Sequence, residues 1–138
     1  MKKAKNVKKV DDLNREGVVI GVYEESVNEP LARETFPNAQ IQTFDNEDNL
    51  LGALVEGSVD AAITASPGPE FLTHKAPEEL FVPFTEPLAL RDEAFAIRKG
   101  DADFLSYLDS WVRYYTANGW LAERRHYWFE TFDWEDDL

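Results

Sequence analysis

Apolar and polar residues alternate in blocks along the first half of this chain, and the blocks predict strands and helices in turn. Residues 18–23, VVIGVY, form a nearly continuous apolar run, which is typical of a strand buried on both faces. Residues 40–45 and 59–65 predict two further strands, and residues 27–36 and 46–57 predict helices between them. This order of strand, helix, strand, helix, strand predicts an α/β fold with a mostly parallel sheet and right-handed crossovers.

Particular residues mark where the two predicted helices begin and end. Ser26 and Glu29 stand three residues apart at the start of the first helix, which is the spacing of a capping box. The second helix closes at Gly57, a favoured residue just beyond a helix end. Its apolar residues share one face and are Leu50, Leu51, Leu54 and Val55.

The second half of the chain predicts two more strands and two helices. Residues 80–84 and 94–98 predict a fourth and a fifth strand. Asp101 or Asp103 then caps a long helix whose apolar positions fit one face of a 3.6-residue period. Those positions are Phe104, Leu105, Leu108, Trp111, Val112 and Tyr115. Residues 120–128 predict the last helix.

The charge is uneven along the chain and restricts the possible partners. The net charge is −13, but the first ten residues hold five lysines and no acid, whereas the remainder holds nine basic and 27 acidic residues. An acidic body of this kind repels nucleic acid and anionic membranes. The lysine-rich start runs into Asp11 and Asp12 rather than the apolar stretch of a signal peptide. The acidic tail, ETFDWEDDL, is interpreted as a solvated C-terminus.

Composition also excludes several kinds of chemistry. The chain has no cysteine, so disulfides, thiolate metal sites and thiol nucleophiles are absent. Its two histidines, His74 and His126, are 52 residues apart, which argues against a histidine-rich metal site. Neither a phosphate-binding loop nor a zinc or calcium motif is present. We therefore predict no metal and no cofactor.

Two turns stand out as candidate binding sites. Ser26 lies at a predicted helix N-terminus, where free N–H groups and the helix dipole favour an anion. ITASPG, residues 63–68, follows the third strand. If the second and third strands pair on opposite sides of the first, both turns flank the point where the sheet reverses its winding, where ligands bind in open parallel sheets. The alternative is that Ser26 only caps its helix and SPGP only turns the chain.

The sequence resembles a known family over nearly its whole length from Val10 onward. The segment GVVIGVYEESVNEPLARETFPNAQIQTFDNEDNLLGALVEGSVDAAITASP resembles the second lobe of periplasmic solute-binding proteins of the polar amino-acid type. AFAIRKGDADFLSYLDSWVRYYTANGWLAERRHYWF is similar to their returning hinge strand and C-terminal helices. EGSVDA and AIRKGDADF are the most specific words of this resemblance.

The resemblance implies a fold and a role. Residues 1–99 would form a three-layer α/β/α lobe whose five-stranded sheet has the order 2-1-3-5-4, with the fifth strand antiparallel. Residues 100–138 would be helices that pack on a first lobe. Such proteins capture a small polar solute in the periplasm or outside the cell for an ABC permease. The chain would then be a fragment or a shortened relative that holds the second lobe.

The family's binding positions transfer one at a time. The family has glycine and then serine or threonine at the first turn, where this chain has Glu25 and Ser26, followed by Val27. Many members end the third strand with an aspartate that holds the ligand's amino group, where this chain has Ala65 and then Ser66. These departures argue against an ordinary amino-acid ligand and favour a cationic, neutral or differently oriented one. The predicted ligand-binding residues are Tyr23, Glu25, Ser26, Val27, Ala65, Ser66 and Glu70.

Two other functions stay open at this stage. SWVRYYTANGWLAERRHYWFETFDW is also similar, more distantly, to cyclohexadienyl dehydratases, which carry a catalytic glutamate after the third strand. Gly68 occupies that place by count, with Glu70 as the nearest acid, so no enzyme activity is predicted. The other alternative is a lobe that binds no solute and self-associates through its C-terminal helices. The aromatic patch expected there consists of Phe104, Leu108, Trp111, Tyr115, Trp120 and Trp128.

Overall fold

The computed structural model describes residues 7–132 and 134. Most of the lysine-rich start and most of the acidic tail lie outside these residues. The chain divides into two compact units, Met1–Glu86 and Pro87–Leu138, and each is described by itself. The boundary predicted at residue 99 stays a prediction.

The first unit is built on a parallel sheet of three strands. β1 (Val19–Tyr23) lies in the centre, with β2 (Gln40–Phe44) on one side and β3 (Ala61–Ala62) on the other. Both pairs are parallel, and Ile20 lies opposite Ile41 of β2 and Ala61 of β3. The predicted α/β fold is therefore confirmed, together with the order 2-1-3 of its first three strands.

Three α-helices connect and follow these strands: α1 (Asn28–Thr35), α2 (Glu47–Glu56) and α3 (Gly68–Lys75). A short 3-10 helix, Val10–Leu13, precedes β1. The side chain of Asn46 caps α2 by accepting a hydrogen bond from the Asn49 N–H at 2.9 Å. Gly57 ends α2 with a φ of +84°, a conformation that glycine adopts without strain.

Hydrophobic clusters lie on both faces of the sheet. Ile20 of β1 packs with Leu13 and Phe36, whereas its neighbour Val19 packs against the opposite cluster. That opposite cluster contains the buried apolar residues of α2 and α3, Leu50, Ala53, Leu54 and Leu72, together with Ala76 just after α3. Because successive strand residues point to opposite faces, β1 contributes to both clusters, as its continuous apolar run predicts.

The predicted five-stranded order is not confirmed, because the fourth and fifth strands do not form within the described residues. Leu80 makes only an isolated bridge, and residues 81–84 and 94–98 have no strand structure. Leu80 is buried, and Phe81 and Phe84 pack against the core clusters of the first unit. The apolar run of LFVPF thus reflects packing of side chains, not pairing of backbones.

The second unit contains two α-helices and a π-helical turn. Asp101 caps α4 (Ala102–Ala117) by accepting a hydrogen bond from the Phe104 N–H at 3.1 Å, as predicted. α5 (Trp120–His126) follows and runs into the π-helical turn Tyr127–Thr131.

Aromatic rings join α4 to α5 within this unit. The rings of Trp111 and Tyr115 both contact Trp120, with centroid distances of 6.0 and 4.9 Å. No side chain of α4 is buried, and Phe104 and Leu105 are about half exposed. None of the helices in the described ranges is long and apolar enough to span a membrane.

Candidate functional site

The two turns chosen from the sequence lie at the same edge of the sheet. The β1–α1 turn follows the carboxyl end of β1, and the β3–α3 connection follows that of β3. Since β2 and β3 pair on opposite sides of β1, the winding direction reverses between β1 and β3. Ligands of open parallel sheets bind at such a reversal. The topology therefore places both turns where the sequence argument requires them.

Ser26 does not form the predicted capping box. Its hydroxyl donates a hydrogen bond to the Tyr23 carbonyl at 2.6 Å and so points back towards β1. The residue before α1 is Val27, which already has helical backbone angles and makes no side-chain cap. The Glu29 carboxylate instead accepts from Arg33 at 2.8 Å, one turn along the helix. The capping box is wrong because the cap position falls on Val27 rather than on Ser26, and the side chains of Ser26 and Glu29 bond elsewhere.

Glu25 adopts the backbone conformation of a glycine. Its φ is +55°, in the left-handed region that favours glycine. The resemblance places Glu25 at a glycine of the family, so a charged side chain stands where glycine would adopt this conformation without strain. Glu24 and Glu25 are both exposed, as is Val27. The β1–α1 turn therefore presents two carboxylates to solvent at the rim of the candidate site.

Tyr23 lies beside an ion pair that the sequence reasoning missed. The Lys75 ammonium lies 2.6 Å from a Glu47 carboxylate oxygen, and both side chains are about 40% exposed. Burial raises the pKa of the Tyr23 phenol, and the charge of Glu47 raises it further. The hydrogen bond to Glu47 raises the pKa of Lys75. The pair links the end of α3 to the start of α2, across 28 residues, and no local pattern signals it.

Ala65 and Ser66 are exposed in the β3–α3 connection, where the Ser66–Pro67 peptide is cis. Thr64 packs tightly against Gly68, since a Cβ atom built on Gly68 would lie 2.5 Å from the Thr64 hydroxyl oxygen. Any side chain at Gly68 would require Thr64 to move. The position counted as the dehydratase glutamate is therefore occupied by a glycine in close contact with Thr64.

Two polar atoms of this connection are buried without a hydrogen-bond partner in the described structure. They are the Thr64 hydroxyl oxygen and the Oε2 oxygen of Glu70. Glu70 lies in the first turn of α3 and is partly buried as a whole. The sequence singled out Glu70 as an acid near the turn, whereas nothing in the pattern marked Thr64.

Two cavities among the described residues of the first unit lie at opposite edges of its sheet. A small one of about 30 Å³ lies beneath the β3–α3 connection, with Thr64, Leu72 and Leu80 among its lining residues. A larger and more open hollow of about 310 Å³ is lined by residues that include Arg15 and Asp60, at the amino ends of β1 and β3. It is therefore at the edge opposite the candidate site. The described residues contain no group of three or more histidine or acidic side chains placed to hold a metal.

No known family profile matches this chain. It is similar to an ancestral amino acid-binding protein, a precursor of cyclohexadienyl dehydratase, with 32% identity over 94% of this chain and 56% of that one, at a TM-score of 0.74. An ancestral cationic amino acid solute-binding protein is 27% identical over 93% of this chain and 54% of its own, with a TM-score of 0.69.

A further solved structure aligns over still more of the chain. It is a protein assigned as the binding component of an ABC transporter from Wolinella succinogenes, in complex with lysine. It is 26% identical over 98% of this chain and 59% of its own length, with a TM-score of 0.81. The chain thus spans somewhat more than half the length of the proteins it resembles. The predicted resemblance to solute-binding proteins of the polar amino-acid type is confirmed.

Proposed function

We propose that this chain forms one wall of a solute-binding cleft that captures a small cationic solute, of the class of lysine, for an ABC importer. The observation that carries the proposal is the arrangement of two connections at the carboxyl edge of the sheet. There the β1–α1 turn and the β3–α3 connection flank the winding reversal, in a chain similar to proteins described as binding cationic amino acids or lysine. Solute capture for an ABC importer would take place in the periplasm or outside the cell.

The charges of the site support a cationic ligand. Glu24 and Glu25 are exposed on the β1–α1 turn, and Glu70 carries a buried carboxylate oxygen without a partner. An amino-acid carboxylate near Glu25 would be repelled, whereas an ammonium or guanidinium group would be attracted. Ser26, half-buried next to these acids, offers its hydroxyl oxygen as an acceptor because its proton is already donated to Tyr23. The remaining ligand contacts of the proposal are Tyr23, Val27, Ala65 and Ser66.

A binding experiment with matched ligands tests this function. We expect L-lysine and L-arginine to raise the melting temperature of the chain at millimolar concentration, while L-norleucine and L-glutamate do not. The affinity should be weak, because a single wall leaves the other face of the ligand in water. Ser26→Ala should weaken lysine binding about fivefold, the effect of about 1 kcal/mol from one hydrogen bond.

The exposed Ser106 on α4 provides the control, since Ser106→Ala removes a hydroxyl far along the sequence from both turns. Its lysine affinity should equal that of the unchanged chain. Equal shifts with lysine and glutamate, or no shift with either cationic amino acid, would contradict the proposal.

A dehydratase on the same scaffold is the alternative that the similarity to a dehydratase precursor raises. The counted position holds Gly68, and a side chain there would require Thr64 to move, so the proposal is a binding protein without enzyme activity. Conversion of prephenate or arogenate to an aromatic product would overturn that choice. Self-association through the half-exposed aromatic residues of α4 and α5 stays a prediction.

A further inference from the structure

The β3–α3 connection buries a carboxylate oxygen that no donor in the described structure satisfies. The atom is Oε2 of Glu70, in the first turn of α3. Thr64, at the end of the preceding segment, buries a hydroxyl oxygen that likewise has no partner. More than nine in ten buried polar groups in proteins have a hydrogen bond, so two orphans in one short connection need an explanation.

The chemistry of the two atoms defines what would satisfy them. A carboxylate oxygen only accepts hydrogen bonds, and a threonine hydroxyl can accept as well as donate. Each atom can therefore accept a hydrogen bond from an N–H donor, and a bond from a positively charged donor to the carboxylate would be charge-assisted. A metal ion fits less well, because the described residues gather no set of three histidine or acidic ligands.

Gly68 fixes one side of this arrangement. Gly68 has no side chain, and the Thr64 hydroxyl oxygen occupies the space beside it. A Cβ atom built on Gly68 would lie 2.5 Å from that oxygen. The hydroxyl is thus held against the start of α3, two residues before Glu70 along the same helix. At the exposed Ala65 the chain carries no acid, so Glu70 is the acidic side chain of this connection.

We propose that Glu70 and Thr64 form an ammonium-binding subsite, in which the Glu70 carboxylate and the Thr64 hydroxyl accept hydrogen bonds from an alkylammonium group of the solute. The subsite rests on the proposed function, because it assigns the ammonium group of the proposed solute to the β3–α3 connection of the same cleft. Many family members instead hold an amino group with an aspartate at the end of the third strand, where this chain has Ala65.

The experiment compares Glu70→Gln with Glu78→Gln, a change at an exposed acid in the loop after α3. Cadaverine supplies ammonium groups without a carboxylate, L-lysine supplies both, and hexanoate supplies only the carboxylate. Calorimetric titration should show Glu70→Gln weakening lysine and cadaverine by tenfold or more, the loss expected for a charge-assisted hydrogen bond. Glu78→Gln should leave both affinities unchanged, and hexanoate should not bind.

Two further measurements make the test independent of one variant. Thr64→Val should weaken both amines several-fold, and Thr64→Ser, which keeps the hydroxyl, should restore them. Without ligand, Glu70→Gln should unfold at the same temperature as the unchanged chain or higher, because a neutral amide oxygen costs less to bury without a partner than the Oε2 carboxylate oxygen does. A lower melting temperature would show that Glu70 already has a partner, such as a buried water, and would overturn the subsite.

The outcomes separate the subsite from the proposed function. If lysine binds equally well with and without Glu70, the binding function stands and the subsite is wrong. If lysine does not bind but cadaverine binds in a way that depends on Glu70, the subsite stands and the amino-acid function is wrong. If neither amine binds the unchanged chain, both are overturned.

Discussion

The backbone of Glu25 leads to a quantitative prediction for the β1–α1 turn. Its φ of +55° places a residue with a Cβ atom in the left-handed region, which costs roughly 1–2 kcal/mol. Glycine avoids that cost, but its freer unfolded chain removes about 0.4–1 kcal/mol of the gain. We therefore expect Glu25→Gly to raise the free energy of unfolding by about 0.5–1 kcal/mol.

Two control variants isolate the cause. Glu24 is the exposed neighbour in the same turn, and its φ is not in the left-handed region. Glu24→Gly incurs only the entropic cost and should lower the free energy of unfolding by about 0.4–1 kcal/mol. Glu25→Gln removes the charge and keeps the Cβ atom, so it should stay within about 0.5 kcal/mol of the unchanged chain.

Urea unfolding followed by far-UV circular dichroism measures these differences, and a thermal scan repeats them. A change of 1 kcal/mol corresponds to roughly 3–5 °C in melting temperature for a chain of this size. The reasoning is refuted if Glu25→Gly destabilises the chain as much as Glu24→Gly does. It is also refuted if Glu25→Gln gives the whole gain, because charge repulsion would then be the cause.

Two further predictions concern the core and the ion pair. In urea unfolding, Gly21→Ala should destabilise the chain by about 1–3 kcal/mol, because its Cβ atom would lie 2.5 Å from a Leu50 methyl. The control Gly52→Ala has open space around it and should be neutral or stabilising. Lys75→Met should lower stability by at most about 1 kcal/mol, since the pair with Glu47 is partly exposed. Because the fold raises the pKa of Lys75, the pair's contribution is complete below the ordinary lysine pKa of 10.5 and is lost as pH rises through the folded value. The two proteins should therefore differ equally at roughly pH 6–9 and converge at more alkaline pH, and a difference that grows with pH would contradict this sign.

The local patterns of the sequence were sufficient for the central part of the fold. α2 ends before Gly57, as predicted, and begins after Asn46, within the predicted range 46–57. The burial of Leu50 and Leu54 follows from their spacing on one helical face. β1 was equally predictable, because its apolar run has few alternatives to a strand buried on both faces. In each case the deciding interactions lie within a few residues of one another.

Interactions between distant residues were not predictable in this way. The apolar run LFVPF has the composition of a strand, but whether it pairs depends on a neighbouring backbone, and Leu80 and Phe81 instead pack against the clusters that cover the sheet. The Lys75–Glu47 pair depends on how α2 and α3 meet. Even at short range, the predicted capping box failed, because the cap position falls on Val27 and the Ser26 hydroxyl donates to the Tyr23 carbonyl.

Two acids of the candidate site, Glu25 and Glu70, each carry a cost in folding stability. A glycine at position 25 would relieve the strain of the left-handed backbone, and a neutral side chain at position 70 would avoid an unpaired buried carboxylate oxygen. Strained backbones and unsatisfied polar groups in native proteins concentrate at functional sites, where a ligand supplies the compensation. Both costly carboxyl groups belong to connections at the same edge of the sheet, on either side of the winding reversal. The proposed positively charged solute would compensate the unpaired carboxylate oxygen of Glu70, whereas surface acidity that serves only solubility requires neither a left-handed glutamate nor an unpaired buried carboxylate oxygen.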